Sequence, residues 1–313
     1  MIRWMMHMPV NVRSRMIEYA KEALEVLEYP RGMDFSVVTP HDPPYTLDCS
    51  EEWLGSAIDK QIVPEVIVTH ATEFATDRLQ GRECHFSPFA QGCLDRNPIR
   101  KEFVMLQDPL RVFFPVSVTP LVMVFNPETV HGDELVHSWE DLLETHRSVL
   151  FPDRDKPLSR AAGAYLLKTY PDRFPDFERR VAYDGSPASV VKRVASGEYD
   201  MAMTNYSFAS MVAGRRVAIN KPKEGCILLP QVMVWKKGVE EDLIVLSDLM
   251  MQKKTQEYLM EQGIWPARSD IPPDETFSCS RQLDCWTGWD DYIEAVADFD
   301  AYQLPMGKAS VAW

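Results

Sequence analysis

The sequence predicts an α/β fold built as two domains, and three observations carry that prediction. Strand-like and helix-like stretches alternate along the chain, the pattern expected when strands pack between helices. The length of 313 residues is about two domains at roughly 150 residues each. No internal repeat or low-complexity tract interrupts the alternation.

The elements follow in order. Ile2–Met6 reads as a short strand. From Val12 to Leu27, apolar residues recur at Met16, Tyr19, Ala20, Ala23, Leu24 and Leu27, the stripe of a helix. Asp34–Val38 predicts a second strand and Glu51–Ile62 a helix. Pro64–His70 is a third strand, its apolar run suited to burial on both faces. Residues 82–111 carry Pro88, Gly92, Pro98 and Pro109 as breakers and predict a long surface excursion. Phe113–Val118 and Leu121–Phe125 read as two strands separated by Pro120. Trp139–Leu143 is a short helix and Ser148–Phe151 a strand. Ser159–Thr169 is a helix capped by Ser159, and Ser186–Val194 another, closed at Gly197. Asp200–Thr204 and Gln231–Trp235 are strand-like. Leu243–Gln262 predicts one helix stopped by Gly263, with Pro266 beyond it. The tail with Trp286, Trp289 and Trp313 gives the least pattern.

A net charge of −14 and a pI near 5.0 argue against nucleic acid, whose binders must neutralise phosphates, and against adsorption to anionic lipid. The ligand stays open, because an acidic total can hide a basic cleft. No run reaches the roughly 18–20 apolar residues that span a bilayer. The N-terminal apolar run is too short for a signal peptide. A trimmed leader would place the protein in the periplasm or outside the cell; a true start at Met1 would make it cytoplasmic. The cysteines at 49, 84, 93, 226, 279 and 285 form no CxxC pair, so free thiols are expected over disulfides or a structural metal.

Several segments together resemble the type II periplasmic binding proteins, specifically the ferric-ion-type substrate-binding components of ABC transporters. They are Ser138-Trp139-Glu140-Asp141-Leu142-Leu143 before Val149-Leu150-Phe151-Pro152, then Ser196-Gly197-Glu198-Tyr199-Asp200 and Met203-Thr204-Asn205-Tyr206. Lys254-Thr255-Gln256-Glu257-Tyr258-Leu259 and Gln262-Gly263-Ile264-Trp265-Pro266-Ala267-Arg268-Ser269-Asp270 complete the series. The resemblance implies a two-lobed clamshell with two crossover strands, at Phe113–Phe125 and Cys226–Trp235. Lobe one would combine residues 1–117 with 233–313, and lobe two would span 118–232. It implies a solute-binding protein, monomeric, that holds a metal ion, an anion or a small polar organic molecule for an ABC permease.

In the family's iron binders the ligands are a carboxylate or histidine from lobe one and paired tyrosines from lobe two. By resemblance His70 takes the carboxylate position, His7 lies near the first-loop histidine, and Tyr206-Ser207 keeps one tyrosine of the pair. Metal ligation would therefore fall to His70 and Tyr206, and the two-tyrosine ferric arrangement is not expected. The wider ligand-binding set is His7, Met8, Asn11, Thr69, His70, Ser159, Arg160, Ser186, Asn205 and Tyr206, with His70 and Tyr206 facing one another. Each has a structural alternative: strand-end histidines often only bond a loop, Tyr206 could pack as a core aromatic, and Ser159 and Ser186 could be helix caps. Met5, Met6 and Met8 fit a buried strand better than a soft-metal site.

No GxSxG, GxGxxG after a strand, HExxH or P-loop occurs, so no catalytic residue is expected. Two rival functions share the scaffold: a cytoplasmic ligand sensor or carrier, and a transferase on a bilobal frame.

Overall fold

A computed structural model describes residues 2–26, 35–45, 53–75, 82–89, 91–214, 216–239, 245–272, 286 and 288–302. The chain forms two compact units, Met1–Thr119 with Leu229–Ser280, and Pro120–Leu228 with Arg281–Trp313.

The first unit begins with β1 (Ile2–Met6), α1 (Val10–Val26) and β2 (Phe35–Val38). The Pro9 carbonyl accepts from Val12 and Arg13 N–H, which starts α1 directly after the strand. Of the stripe read from the sequence, Met16 and Ala20 are buried, with Val12 ahead of them, and Tyr19 and Leu24 are half-buried; Leu27 lies outside the described residues. α2 (Trp53–Asp59) and β3 (Val66–His70) follow, and every residue of β3 is buried. β1 pairs in parallel with β2 on one side and β3 on the other.

Residues 82–111 correct the sequence reading. They hold β4 (Phe86–Ser87), α3 (Gln91–Arg96) and 3-10 turns, and they bury Phe86, Phe89, Cys93, Phe103 and Leu106. The prolines and Gly92 break the pattern, yet the aromatic residues between them are core. Arg100 secures the segment by donating to the carbonyls of Pro266 and Ile271.

β5 (Phe114–Phe125) is one strand through Pro120, where two were expected. Its Ser117–Val118 stretch pairs with β11, and from Leu121 onward it pairs with β8. Pro120 falls between the two registered stretches, so its missing N–H interrupts neither ladder. At this point the chain enters the second unit.

There α4 (Trp139–Glu144) is capped by Ser138, whose oxygen accepts from Asp141 N–H. β6 (Val149–Phe151) leads to α5 (Pro157–Thr169), which starts after Lys156. Ser159 is therefore inside the helix and is not its cap; its hydroxyl donates to the Pro152 carbonyl at 2.8 Å. α6 (Phe174–Glu178), β7 (Ala182–Tyr183), α7 (Pro187–Ala195), β8 (Met201–Asn205), α8 (Tyr206–Val212) and β9 (Ala218–Asn220) complete the run. The strand order here is β5-β8-β6-β7.

β10 (Ile227–Lys236) returns the chain to the first unit, giving the order β2-β1-β3-β10-β5. The single helix expected over Leu243–Gln262 is two, α9 (Val245–Met250) and α10 (Lys253–Glu261); residues 243–244 lie outside the described set. The break is stabilised by Gln256, whose amide donates to the Met250 and Val116 carbonyls at 2.8 and 3.0 Å. β11 (Trp265–Pro266) follows.

The last described helix, α11 (Trp289–Ala301), packs along α5 in the second unit, where the expected division had assigned the tail to lobe one. Arg154 fixes it by donating to the Phe299 and Tyr302 carbonyls at 2.9 and 3.0 Å while its guanidinium lies on the Phe299 ring. Gly163 of α5 meets that ring so closely that a Cβ there would overlap it.

Gly163→Ala should therefore destabilise the protein even though alanine favours a helix by about 1 kcal/mol. Overpacking costs about 1–3 kcal/mol. Thermal melting should show a lower Tm for Gly163→Ala and partial recovery on adding Phe299→Leu. A Gly163→Ala variant at or above the parent Tm would show that the helices part freely.

Candidate functional site

In the first unit, β1 and β3 run parallel and end side by side, and His7 follows one while His70 ends the other. Ligands in open α/β sheets gather beyond such carboxyl edges. The two imidazole rings meet edge to face, with centroids 5.7 Å apart.

The Trp53 indole donates to His7 Nδ1 at 3.1 Å, and Thr69 Oγ1 lies 3.0 Å from the same nitrogen. Indole N–H can only donate, so His7 Nδ1 is the acceptor and the ring proton sits on Nε2. His7 is thereby held as a neutral donor.

His70 is 4% exposed. Gln231, its register partner on β10, brings its amide nitrogen to 3.4 Å from His70 Nδ1. Burial, reinforced by the Arg13 guanidinium, pulls the His70 pKa down to about 3. The ring is neutral throughout the physiological range.

Arg13 stands in the first turn of α1 and donates through Nε to the Met8 carbonyl at 3.1 Å. Burial alone lowers its pKa, and among the described residues no carboxylate offsets that effect. The helix macrodipole also disfavours a cation at this end. A partly buried guanidinium thus stands beside His70, and among the described residues no carboxylate raises its pKa back.

Other expected residues fall into place less directly. Met8 is buried and contributes its carbonyl to Arg13, while Asn11 lies in the first turn of α1. Arg160 is committed to Asp300 through a two-point ion pair, Nε to Oδ1 at 3.0 Å and the terminal nitrogen to Oδ2 at 2.6 Å. Ser186 caps α7 by accepting from Ser189 N–H, and Asn205 caps α8 by accepting from Phe208 N–H. Tyr206 opens α8 with the Lys221 ammonium 5.6 Å from its ring centre, and Ser207 beside it is buried. Cys84 is an exposed free thiol, and Cys93 and Cys226 are buried; Cys49, Cys279 and Cys285 lie outside the described residues. Among the described residues, no three His, Cys, Asp or Glu side chains gather at metal-binding spacing.

Sequence reading missed Arg13, Trp53 and Gln231. Two of them left a signal: a basic residue in a helix's first turn runs against the dipole, and a glutamine inside an apolar strand needs buried partners.

The His70 shift has a pH consequence. In the unfolded chain the ring titrates near its ordinary pKa of about 6.5, so between there and about 3 the unfolded state binds the proton and the fold does not. Stability is fully present above about pH 6.5 and falls by about 1.4 kcal/mol per unit as the pH drops below it. His70→Gln removes this titration. Melting curves from about pH 7 to about pH 5 should show the variant losing less than the parent; parallel losses would contradict the assignment.

The comparisons with known proteins agree with this architecture. The family described as bacterial extracellular solute-binding protein matches residues 63–295. No curated protein sequence matches the chain. Among solved structures, the ferric binding protein from Campylobacter jejuni is similar with a TM-score of 0.72 at 13% identity, covering 96% of this chain and 98% of that one. Iron-bound HitA from Pseudomonas aeruginosa gives 0.71 at 13% identity over 96% and 98%. A Trichodesmium protein, IdiA or FutA, in complex with iron and citrate, gives 0.66 at 14% identity over 96% of each chain. These likenesses show the two-lobed periplasmic-binding-protein fold, and with a family match over most of its length the chain belongs to the bacterial extracellular solute-binding proteins.

Proposed function

We propose that the protein captures a small anionic solute, carrying a carboxylate or phosphate group, and passes it unchanged to an ABC permease. The observation that carries this reading is Arg13, a guanidinium in the first turn of α1 that no carboxylate offsets among the described residues, beside a neutral His70. A helix N-terminus attracts anions, and a desolvated guanidinium binds carboxylate and phosphate oxygens through charge-assisted hydrogen bonds. The same charge repels a metal ion, and the imidazoles of His7 and His70 bring no negative charge to offset it. The cluster thus favours a ligand opposite in sign to the iron named for the similar structures.

Membership of a solute-binding family supports capture over catalysis and supports the permease as partner.

Calorimetric titration with citrate, phosphate and ferric ion tests the reading. At least one anion should bind the parent, and Arg13→Gln should weaken it about 10- to 100-fold, the range for a lost hydrogen bond to a charged group. Tight ferric binding with neither anion bound, or anion affinity unchanged in Arg13→Gln, would overturn it.

A further inference from the structure

The second unit contains a feature unrelated to the cluster at His70. Between α5, α11 and the start of β10 lies a cavity of about 360 Å³, walled chiefly by Ala164, Tyr165, Ile227, Leu228, Trp286 and Tyr292. That volume is within the range of small-molecule sites. The Trp286 and Tyr292 rings lie 5.1 Å apart and tilted by 31°, giving the wall an aromatic surface.

Two polar groups on this wall are unsatisfied among the described residues. Trp286 is 8% exposed, and its indole nitrogen has no hydrogen-bond partner there. Among the described residues the buried Tyr292 hydroxyl has none either. Buried polar groups in folded proteins almost always find partners, so a pair of orphans on one cavity wall calls for a ligand atom. Indole can only donate. Burial pushes the Tyr292 phenol well above its ordinary pKa, so it too keeps a proton to give. The complement of two donors is an acceptor oxygen.

Charge narrows the class further. The two ionised groups at the edge, Lys168 and Asp291, pair with each other at 3.0 Å. Arg160, which faces Tyr292 electrostatically, is neutralised by Asp300. No net charge is left among these lining residues to hold an ion, and apart from Tyr165 and Thr169 the remaining wall is apolar.

We propose that the α5–α11 cavity is a second ligand site, taking a small uncharged aromatic molecule whose carbonyl oxygen accepts from Trp286 and Tyr292. The ring would stack within the aromatic wall, and the carbonyl would meet the two donors.

The test uses the full-length protein labelled with ¹⁵N, with the Trp286 indole resonance identified by its loss in Trp286→Phe. Acetophenone should shift that resonance saturably, and toluene, which lacks the acceptor, should bind about fivefold or more weakly. Tyr292→Phe should weaken acetophenone severalfold and leave toluene unchanged. Ala164→Leu should fill the cavity and abolish both responses. The proposal fails if acetophenone gives no saturable shift, if toluene binds equally well, or if a folded Ala164→Leu protein responds like the parent. Should Ala164→Leu not fold, the Tyr292→Phe comparison decides, and unchanged acetophenone affinity there overturns the proposal.

Discussion

A buried amide must have its donors and acceptor satisfied, and at Gln231 that requirement ties three strands of the first unit together. Its oxygen accepts from the Ser117 hydroxyl of β5, and its nitrogen donates to Thr119 Oγ1 of the same strand at 2.6 Å. The nitrogen also approaches His70 Nδ1, across the β3–β10 register. A slip of one residue would turn Gln231 to the other face and leave every one of these groups unpaired. The register of the sheet and the position of His70 are thus fixed by the same side chain. Gln256 repeats the device, accepting from Ala267 N–H at 2.7 Å while donating to carbonyls of β5 and α9. From inside α10, Gln256 supplies side-chain partners to backbone groups at the end of α9 and just beyond β11.

Much of the frame was legible in the sequence because it depends on local pattern. β1, β3 and α7 emerge from apolar runs, helical spacing and a serine cap, signals contained within each element. His7 and His70 were legible as strand-end residues for the same reason. What stayed hidden depends on partners distant in sequence. The break between α9 and α10 is stabilised by Gln256 reaching back to Met250 and across to Val116, which no helical period encodes. The tail offered no periodic reading, yet α11 is fixed by Arg154 and Arg160, more than a hundred residues earlier. Residues 82–111 misled because breakers announce irregular backbone but do not say whether that backbone is covered.

The electrostatics separate global from local charge. The chain carries −14 overall, and many of its arginines stand beside acids, as in Arg3–Glu65, Arg154–Glu178 and Arg193 with Asp184 and Glu198. Arg13 departs from that arrangement in an otherwise acidic protein, and its desolvation makes the departure matter. At a partly buried position a point charge is poorly screened, so its influence on a neighbour exceeds that of a solvated surface pair. His70 registers the effect: burial keeps the ring neutral, and Arg13 acts in the same direction. A neutral imidazole beside a fixed cation leaves one charge, not two, to be met by a ligand.

At 13% identity the chain keeps a TM-score near 0.7 with ferric binding proteins, so almost all the residues that build the frame have been exchanged without loss of the fold. That tolerance is expected, since sheet pairing and apolar alternation accept many side chains of suitable size. Ligand preference has no such redundancy. The anion preference proposed for this chain would rest on very few groups, Arg13 and the neutral His70 in the first unit. A fold shared so widely is therefore weak evidence for a shared ligand. The informative positions are those where a buried charge or polar group lacks an internal partner, because a well-packed frame leaves such a group only where something else is meant to meet it.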